Sequence, residues 1–99
     1  MQDCVFCLIS NKKIPSEIVY EDDEIIAFKD NNPEAPVHIL IIPKKHIPSL
    51  MELDDSDMLH LIPKIFSTAQ KLAKEFKVDE TGFRIVCNCG KDGGQSVGH

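Results

Sequence analysis

The stretch Pro36-Val37-His38-Ile39-Leu40-Ile41-Ile42-Pro43 constrains this chain more than any other part of it. Proline lacks the amide donor that a sheet ladder needs, so the two prolines mark the limits of a strand and the largely β-branched residues between them fill it. The run reads as a central strand buried on both faces. Period two puts Val37, Ile39 and Ile41 on one face and His38, Leu40 and Ile42 on the other, so His38 shares its face with core residues. Val37 to Ile42 is also the longest apolar run, and it falls far short of the roughly 18 to 20 residues a membrane span requires.

The other elements arrange themselves around that strand. Glu17 to Tyr20 and Glu24 to Asp30 read as two strands of a hairpin, joined by the acidic turn Glu21-Asp22-Asp23. Cys4 to Ile9 is apolar but too brief for an independent helix, and is expected as one turn packed on the sheet. After Asp54-Asp55, acids suited to a helix N-terminus, Met58, Ile62, Ile65, Ala69, Leu72 and Phe76 recur at spacings of three and four. That is one amphipathic helix. Pro63 removes a donor to the carbonyl of Leu59, so a kink is expected there. Gly82 to Asn88 reads as a further strand that runs into a loop, Gly90 to Gly98, holding four glycines in nine residues.

With 99 residues the chain has room for one domain and one core. Its 42% hydrophobic and 27% charged residues are those of a globular protein and not of a disordered one. A formal net charge of -5 argues against a general electrostatic grip on nucleic acid. A small phosphate ligand remains compatible with it, because backbone amides and one or two local cations hold a phosphate whatever the global charge. The N-terminus reads as free of a secretory signal, and the cytoplasm is the expected compartment. In that setting the four cysteines, Cys4-x-x-Cys7 and Cys87-x-Cys89, point to metal or free thiols and away from a disulfide framework.

Several residues have a plain reading beside a chemical one. The glycine-rich loop matches neither the P-loop nor the dinucleotide fingerprint, and by itself is a flexible turn. Cys87 and Cys89 fall on one face of their expected strand, where they would pack as small apolar residues, with Asn88 on the other. Lys44 and Lys45 read as solvated charges, the acidic run Glu21 to Glu24 as a solvated turn, and His60 as a helix-surface residue. Cys4, Cys7, His46 and His99 form a set of two thiolates and two imidazoles that suits tetrahedral zinc, although only the Cys-x-x-Cys half has a telling spacing.

Taken in order, Cys4-Val-Phe6-Cys7, Ile14-Pro15-Ser16, Val19-Tyr20-Glu21-Asp22-Asp23, Ala27-Phe28-Lys29-Asp30, Ala35-Pro36-Val37-His38, Ile42-Pro43-Lys44-Lys45-His46-Ile47 and Asp92-Gly93-Gly94-Gln95-Ser96-Val97-Gly98-His99 closely resemble the histidine triad (HIT) superfamily, in its nucleotide-binding branch. The resemblance spans essentially the whole chain, residues 1–99, as one domain. It implies an α+β fold with an antiparallel sheet of about five strands and one long helix packed on it, and a homodimer, joined edge to edge, when the domain is complete.

The family's His-x-His-x-His motif has its nucleophile in the middle histidine. His99 matches the first, and the other two would lie beyond it, so the chain reads as lacking the nucleophile and the strand that carries it. The implied activity is release of a purine nucleoside monophosphate from a phosphoramidate through a nucleotidyl-histidine intermediate. A dinucleoside polyphosphate hydrolase, or a nucleotide- or zinc-binding protein without turnover, is the alternative. Carried over by position, Phe6 and Ile9 would flank the base, Asp30 would take the ribose hydroxyls and Asn31 would adjoin the ribose. Asn88, Gly94, Gln95 and Ser96 would surround the phosphate, with the Ser96 hydroxyl within reach of the leaving group. His38 and His99 would support the nucleophile's tautomer and orientation. Cys4, Cys7, His46 and His99 would hold a structural zinc, as in some bacterial members.

Overall fold

The computed structural model describes residues 5–12 and 15–95. Three strands form the sheet, β1 (Ile18–Glu21), β2 (Ile25–Lys29) and β3 (Ile39–Pro43), antiparallel and in the order β1-β2-β3. A short helix, α1 (Val5–Ser10), precedes them, and a longer one, α2 (Ile62–Glu75), follows. The architecture is the α+β one read from the sequence, with hairpin and helix where expected.

The central strand is β2 and not β3. Ile25, Ile26 and Ala27 are wholly buried, whereas Ile39, Leu40 and Ile41 are half-buried, and β3 has one ladder partner among the described residues. The four apolar residues Ile25 to Phe28 let β2 serve both faces at once. Ile26 and Phe28 pack with Ile9 and Ile42, bordered by Phe6 and Leu40. Ile25 packs on the opposite face with Ile47 and Leu61, bordered by Tyr20, Ile41, Leu53 and Ile65. The register Ile26↔Ile42 and Phe28↔Leu40 keeps each set together. Cutting Ile25 or Ile26 back to alanine would cost about 2 to 5 kcal/mol.

The kink expected at Pro63 takes the form of a wide turn. Asp57–Leu61 is π-helical, and the Ile62 amide reaches back to the carbonyl of Asp57 before α2 begins. Pro63, which has no amide to donate, therefore stands where the π turn passes directly into α2.

The expected strand over Gly82 to Asn88 does not form a ladder among the described residues, which leaves three strands there instead of about five. Strand residues need a neighbouring backbone for their amides, and among the described residues no strand pairs with this segment. Phe83, Ile85 and Val86 are accordingly exposed. So is Cys87, with Cys89 half-buried, against the expectation that both pack as small apolar residues.

Candidate functional site

The face of the sheet that carries Ile26 and Phe28 ends at Asp30, two residues further on and of the same parity. Asp30 is fixed from three sides. Its amide donates to the carbonyl of His38 at 3.0 Å, its Oδ1 accepts the Asn32 amide at 2.9 Å, and its Oδ2 lies 3.4 Å from His38 Nε2. The other nitrogen of His38, Nδ1, accepts the amide of Glu34 at 3.0 Å. Asp30 and His38 thus clasp the exposed segment 31–37 between β2 and β3, above a cleft of about 140 Å³ that also touches Pro33, Pro36 and Phe76.

On the same face the rings of Phe6 and Phe28 meet edge to face, with centroids 5.8 Å apart and planes at 68°. Phe6 and Ile9, the residues expected beside a base, are therefore brought to the sheet surface that leads to Asp30. They differ in what they offer: Ile9 is spent on the core, at 6% exposure, while Phe6 is half-exposed. Asn31 stands in solvent beside Asp30.

Residues 90–95 of the glycine-rich loop form a closed turn. Gly93 and Gln95 donate their amides to the carbonyl of Gly90, at 3.2 and 3.1 Å, and Gly94 donates to Lys91 at 3.1 Å. The Gln95 side chain locks the turn, accepting the Gly90 amide on Oε1 at 2.7 Å and donating from Nε2 to the carbonyl of Pro48. Gly94 has φ +77°, and a Cβ on Gly93 would come within 2.5 Å of the Cys89 carbonyl oxygen, so neither position accepts a side chain. Successive amides converging on a phosphate, the arrangement expected of such a loop, are not on offer in this conformation, since these three are used inside the turn. Asn88 is exposed, with no hydrogen bond among the described residues.

Of the four expected metal ligands, two are seen together. Cys7 Sγ is 3.1 Å from His46 Nδ1. Cys4 and His99 lie outside the described residues, as does Ser96, and among the described residues no three His, Cys, Asp or Glu side chains could hold a metal ion.

The charge runs have a structural role that sequence reading missed. Asp22 Oδ1 accepts the amides of Glu24 and Ile25 at 2.8 and 2.9 Å, and Oδ2 accepts the Tyr20 hydroxyl at 2.8 Å and an ion pair from Lys64 at 3.2 Å. Burial works to raise the Asp22 carboxyl, but the two amides, the hydroxyl and Lys64 outweigh it and hold the group well below the usual carboxylate range. Lys64 also reaches Glu24 at 2.8 Å, and these partners, Glu24 foremost, push its ammonium up. Lys44 pairs with Glu21 at 2.7 Å and Lys45 with Asp57 at 3.1 Å, so neither is simply solvated. An aspartate two and three residues before the amides it accepts is the signal that could have revealed the turn. His60 is exposed on the π turn, as expected.

This combination defines an α+β protein with an aromatic-lined sheet face ending in a clasped carboxylate. The HIT domain family matches residues 11–99, and the chain belongs to that family. It is similar to the structure of a histidine triad protein from Clostridium difficile, with 52% identity, a TM-score of 0.94 and coverage of 100% of this chain and 85% of that one. A HIT family hydrolase from Legionella pneumophila Philadelphia 1 gives 44% identity and a TM-score of 0.94, covering 98% of this chain and 86% of that one. A histidine triad nucleotide-binding protein from Candida albicans gives 33% identity and a TM-score of 0.85, over 98% and 69%. A 14 kDa zinc-binding protein from Brassica juncea is 43% identical over 99 residues, 98% of this chain and 86% of that protein.

Proposed function

We propose that this chain is the nucleotide-binding part of a HIT-family hydrolase that releases a purine nucleoside monophosphate from a phosphoramidate. The observation that carries the reading is Asp30: a carboxylate clasped at the end of an aromatic-lined face, with acceptor capacity left for hydroxyl groups. It is supported by likeness to one protein called a hydrolase and another called nucleotide-binding.

In this reading Phe6 and Ile9 flank the base, and Asp30 with Asn31 receives the ribose. Asn88, Gly94, Gln95 and Ser96 surround the phosphate once the Gly94 and Gln95 amides exchange their bonds within the turn for it, and Asn88 has its side chain free to turn toward it. The middle histidine of the triad, beyond His99, attacks the α-phosphorus as the P–N bond breaks. The amine leaves with a proton, and the Ser96 hydroxyl is assigned to the leaving group, as the resemblance implies. Water then cleaves the P–N bond to the histidine and frees the nucleotide. His38 and His99 support the tautomer and orientation of the reacting imidazole.

Cys4, Cys7, His46 and His99 would hold a structural zinc. The pair Cys7 and His46 fits: donors sharing a tetrahedral zinc stand about 3.5 Å apart, a few tenths beyond the observed contact. A closed site of four protein ligands would be structural, tying α1 to the segment after β3 and leaving no position on the metal open to substrate. No helix among the described residues is long and apolar enough to cross a membrane, and we assign the protein to the cytoplasm, as an edge-to-edge homodimer in its complete form, without nucleic acid as a partner.

The deciding experiment gives a form extended through the triad both an adenosine phosphoramidate and a dinucleoside polyphosphate, and identifies the products. Nucleotide and amine from the first support the reading. Turnover of the second alone moves the protein to the polyphosphate hydrolases, and binding without turnover of either leaves a nucleotide-binding protein.

A further inference from the structure

Glu21 ends β1 with its side chain on the face that carries α1, because its register partner is Ile26, which packs there with Ile9. Its two carboxylate oxygens are divided between two cations. Oε2 meets Lys44 Nζ at 2.7 Å and Oε1 meets Lys12 Nζ at 3.1 Å. Lys44 is itself anchored, since it follows β3 directly and its amide donates to the carbonyl of Glu24 at 2.8 Å. One oxygen is thus held by the sheet, and the other reaches the turn that closes α1.

Lys12 stands in that turn at φ +63°, in the left-handed region that glycine and asparagine enter more readily than lysine. Its amide donates to the carbonyl of Ile9 at 3.0 Å, as that of Asn11 does to Cys7. Either smaller residue would close the turn with less strain, so what lysine supplies here is its ammonium. With six residues α1 is too short to hold its place by its own hydrogen bonds. Ile9 is fixed in the core, the Cys7 to His46 contact restrains the middle of the helix, and the pair Lys12 to Glu21 restrains its end. With Ile9 as pivot, a tilt that lifts this end shifts Phe6 across the ring of Phe28 at the other.

We propose that Glu21 is a positioning residue for the base: through Lys12 it sets the tilt of α1, and so the place at which Phe6 meets the base of the nucleotide. The proposal rests on the reading of Phe6 and Ile9 as the residues that flank the base. Ribose and phosphate, which that reading assigns to residues outside α1, are held independently of Glu21.

The test compares, by calorimetry on the 99-residue chain, adenosine monophosphate with ribose 5-phosphate, which lacks the base, in wild type, Glu21→Gln, Lys12→Asn and Lys12→Arg. Glu21→Gln and Lys12→Asn should weaken adenosine monophosphate by about threefold, the scale of a partly exposed ion pair, and leave ribose 5-phosphate unchanged. Lys12→Arg, which keeps the charge, should bind both as wild type does. Lys12→Asn should melt no lower than wild type, because asparagine takes the left-handed conformation more readily. Affinity for the base then falls while stability holds, which a merely structural role would not produce. In the ligand-free protein, hydrogen exchange of the Asn11 and Lys12 amides should quicken in Glu21→Gln while that of Ile26 stays slow, and unchanged exchange overturns the proposal with no ligand involved. Equal weakening of both ligands, or none, overturns the role of Glu21 alone. A wild type that binds neither ligand overturns the reading of the site, and one that binds both equally overturns Phe6 and Ile9 as the base contacts; each takes the proposal with it.

Discussion

Cys7 and His46 are 39 positions apart in the sequence and 3.1 Å apart in space, sulfur to nitrogen. If they are half of a zinc site, metal analysis should return about one zinc per chain, and a chelator should lower the melting temperature, since metal that binds only the folded state stabilises it. A metal-free protein whose melting ignores the chelator would remove the site.

Asp30→Ala should weaken binding of adenosine monophosphate by about 1.5 to 3 kcal/mol, the range for hydrogen bonds to a charged group. Because Oδ1 also accepts the Asn32 amide, part of the loss would come from the loosened segment 31–37. Asp30→Asn keeps an acceptor for that amide and isolates the contribution of charge. Unchanged affinity in both variants, by calorimetry, would sink the assignment.

The 99-residue chain should bind a nucleotide but not turn over an adenosine phosphoramidate, because attack on phosphorus needs an imidazole that would follow His99. His38 is no substitute: its Nδ1 is taken by the Glu34 amide, and a displacement of about 1 Å already costs on the order of a hundredfold in rate. A form continued through the triad should be active and yield a trappable nucleotidyl adduct. Equal turnover by both forms would refute the mechanism.

Asp22→Ala should destabilise the fold by about 1 to 3 kcal/mol, because the amides of Glu24 and Ile25 lose their acceptor at the start of β2. The same residue sets an acid limit. Its carboxyl is depressed in the folded chain, and Glu21 and Asp57 are lowered too, by Lys44 and by the Asp54 amide first of all. Depressed carboxyls contribute stability that is present above their unfolded value of about 4 and is lost as pH falls through the folded value. Denaturant midpoints should therefore drop steadily below about pH 5, and less steeply in Asp22→Asn. An equal slope in that variant would contradict the assignment.

Gly93→Ala should open the glycine-rich turn, since its Cβ would meet the backbone of Cys89 at 2.5 Å from the oxygen and 3.0 Å from the nitrogen. Overpacking of this kind costs about 1 to 3 kcal/mol. The loss should appear as faster exchange of the Gln95 amide, with melting of the sheet nearly unchanged. An undisturbed Gln95 amide would mean that the turn tolerates the clash.

Legibility in the sequence followed how local each signal was. Parity along β3 needed no partner to be read, and it put Ile41 on one face and Leu40 and Ile42 on the other, as found. Pro63 announced a disturbed helix, but whether a missing donor becomes a bend or a wide turn depends on which carbonyl Ile62 can reach. The strand expected over Gly82 to Asn88 had the right composition and lacked a ladder partner, which no local pattern can supply. Asp22 was lost in a run of like charges because hydropathy does not distinguish a solvated carboxylate from one that organises a turn. Within the candidate site the residues were assigned one by one from the resemblance. That His38 Nδ1 is taken by Glu34 was not legible, because the donor is a main-chain amide.

The alternation along β2 has an evolutionary consequence. Ile26, Phe28 and Asp30 face α1 and the candidate site, while Ile25 faces α2 through Leu61 and Ile65. Substitutions at even positions can therefore retune a ligand while the helix contacts drift at odd ones, and the two can be selected independently. An insertion or deletion of one residue enjoys no such freedom, for it exchanges the two surfaces together. Descendants of this chain should exchange residues along β2 only within what a packed core accepts, and hardly change its length at all.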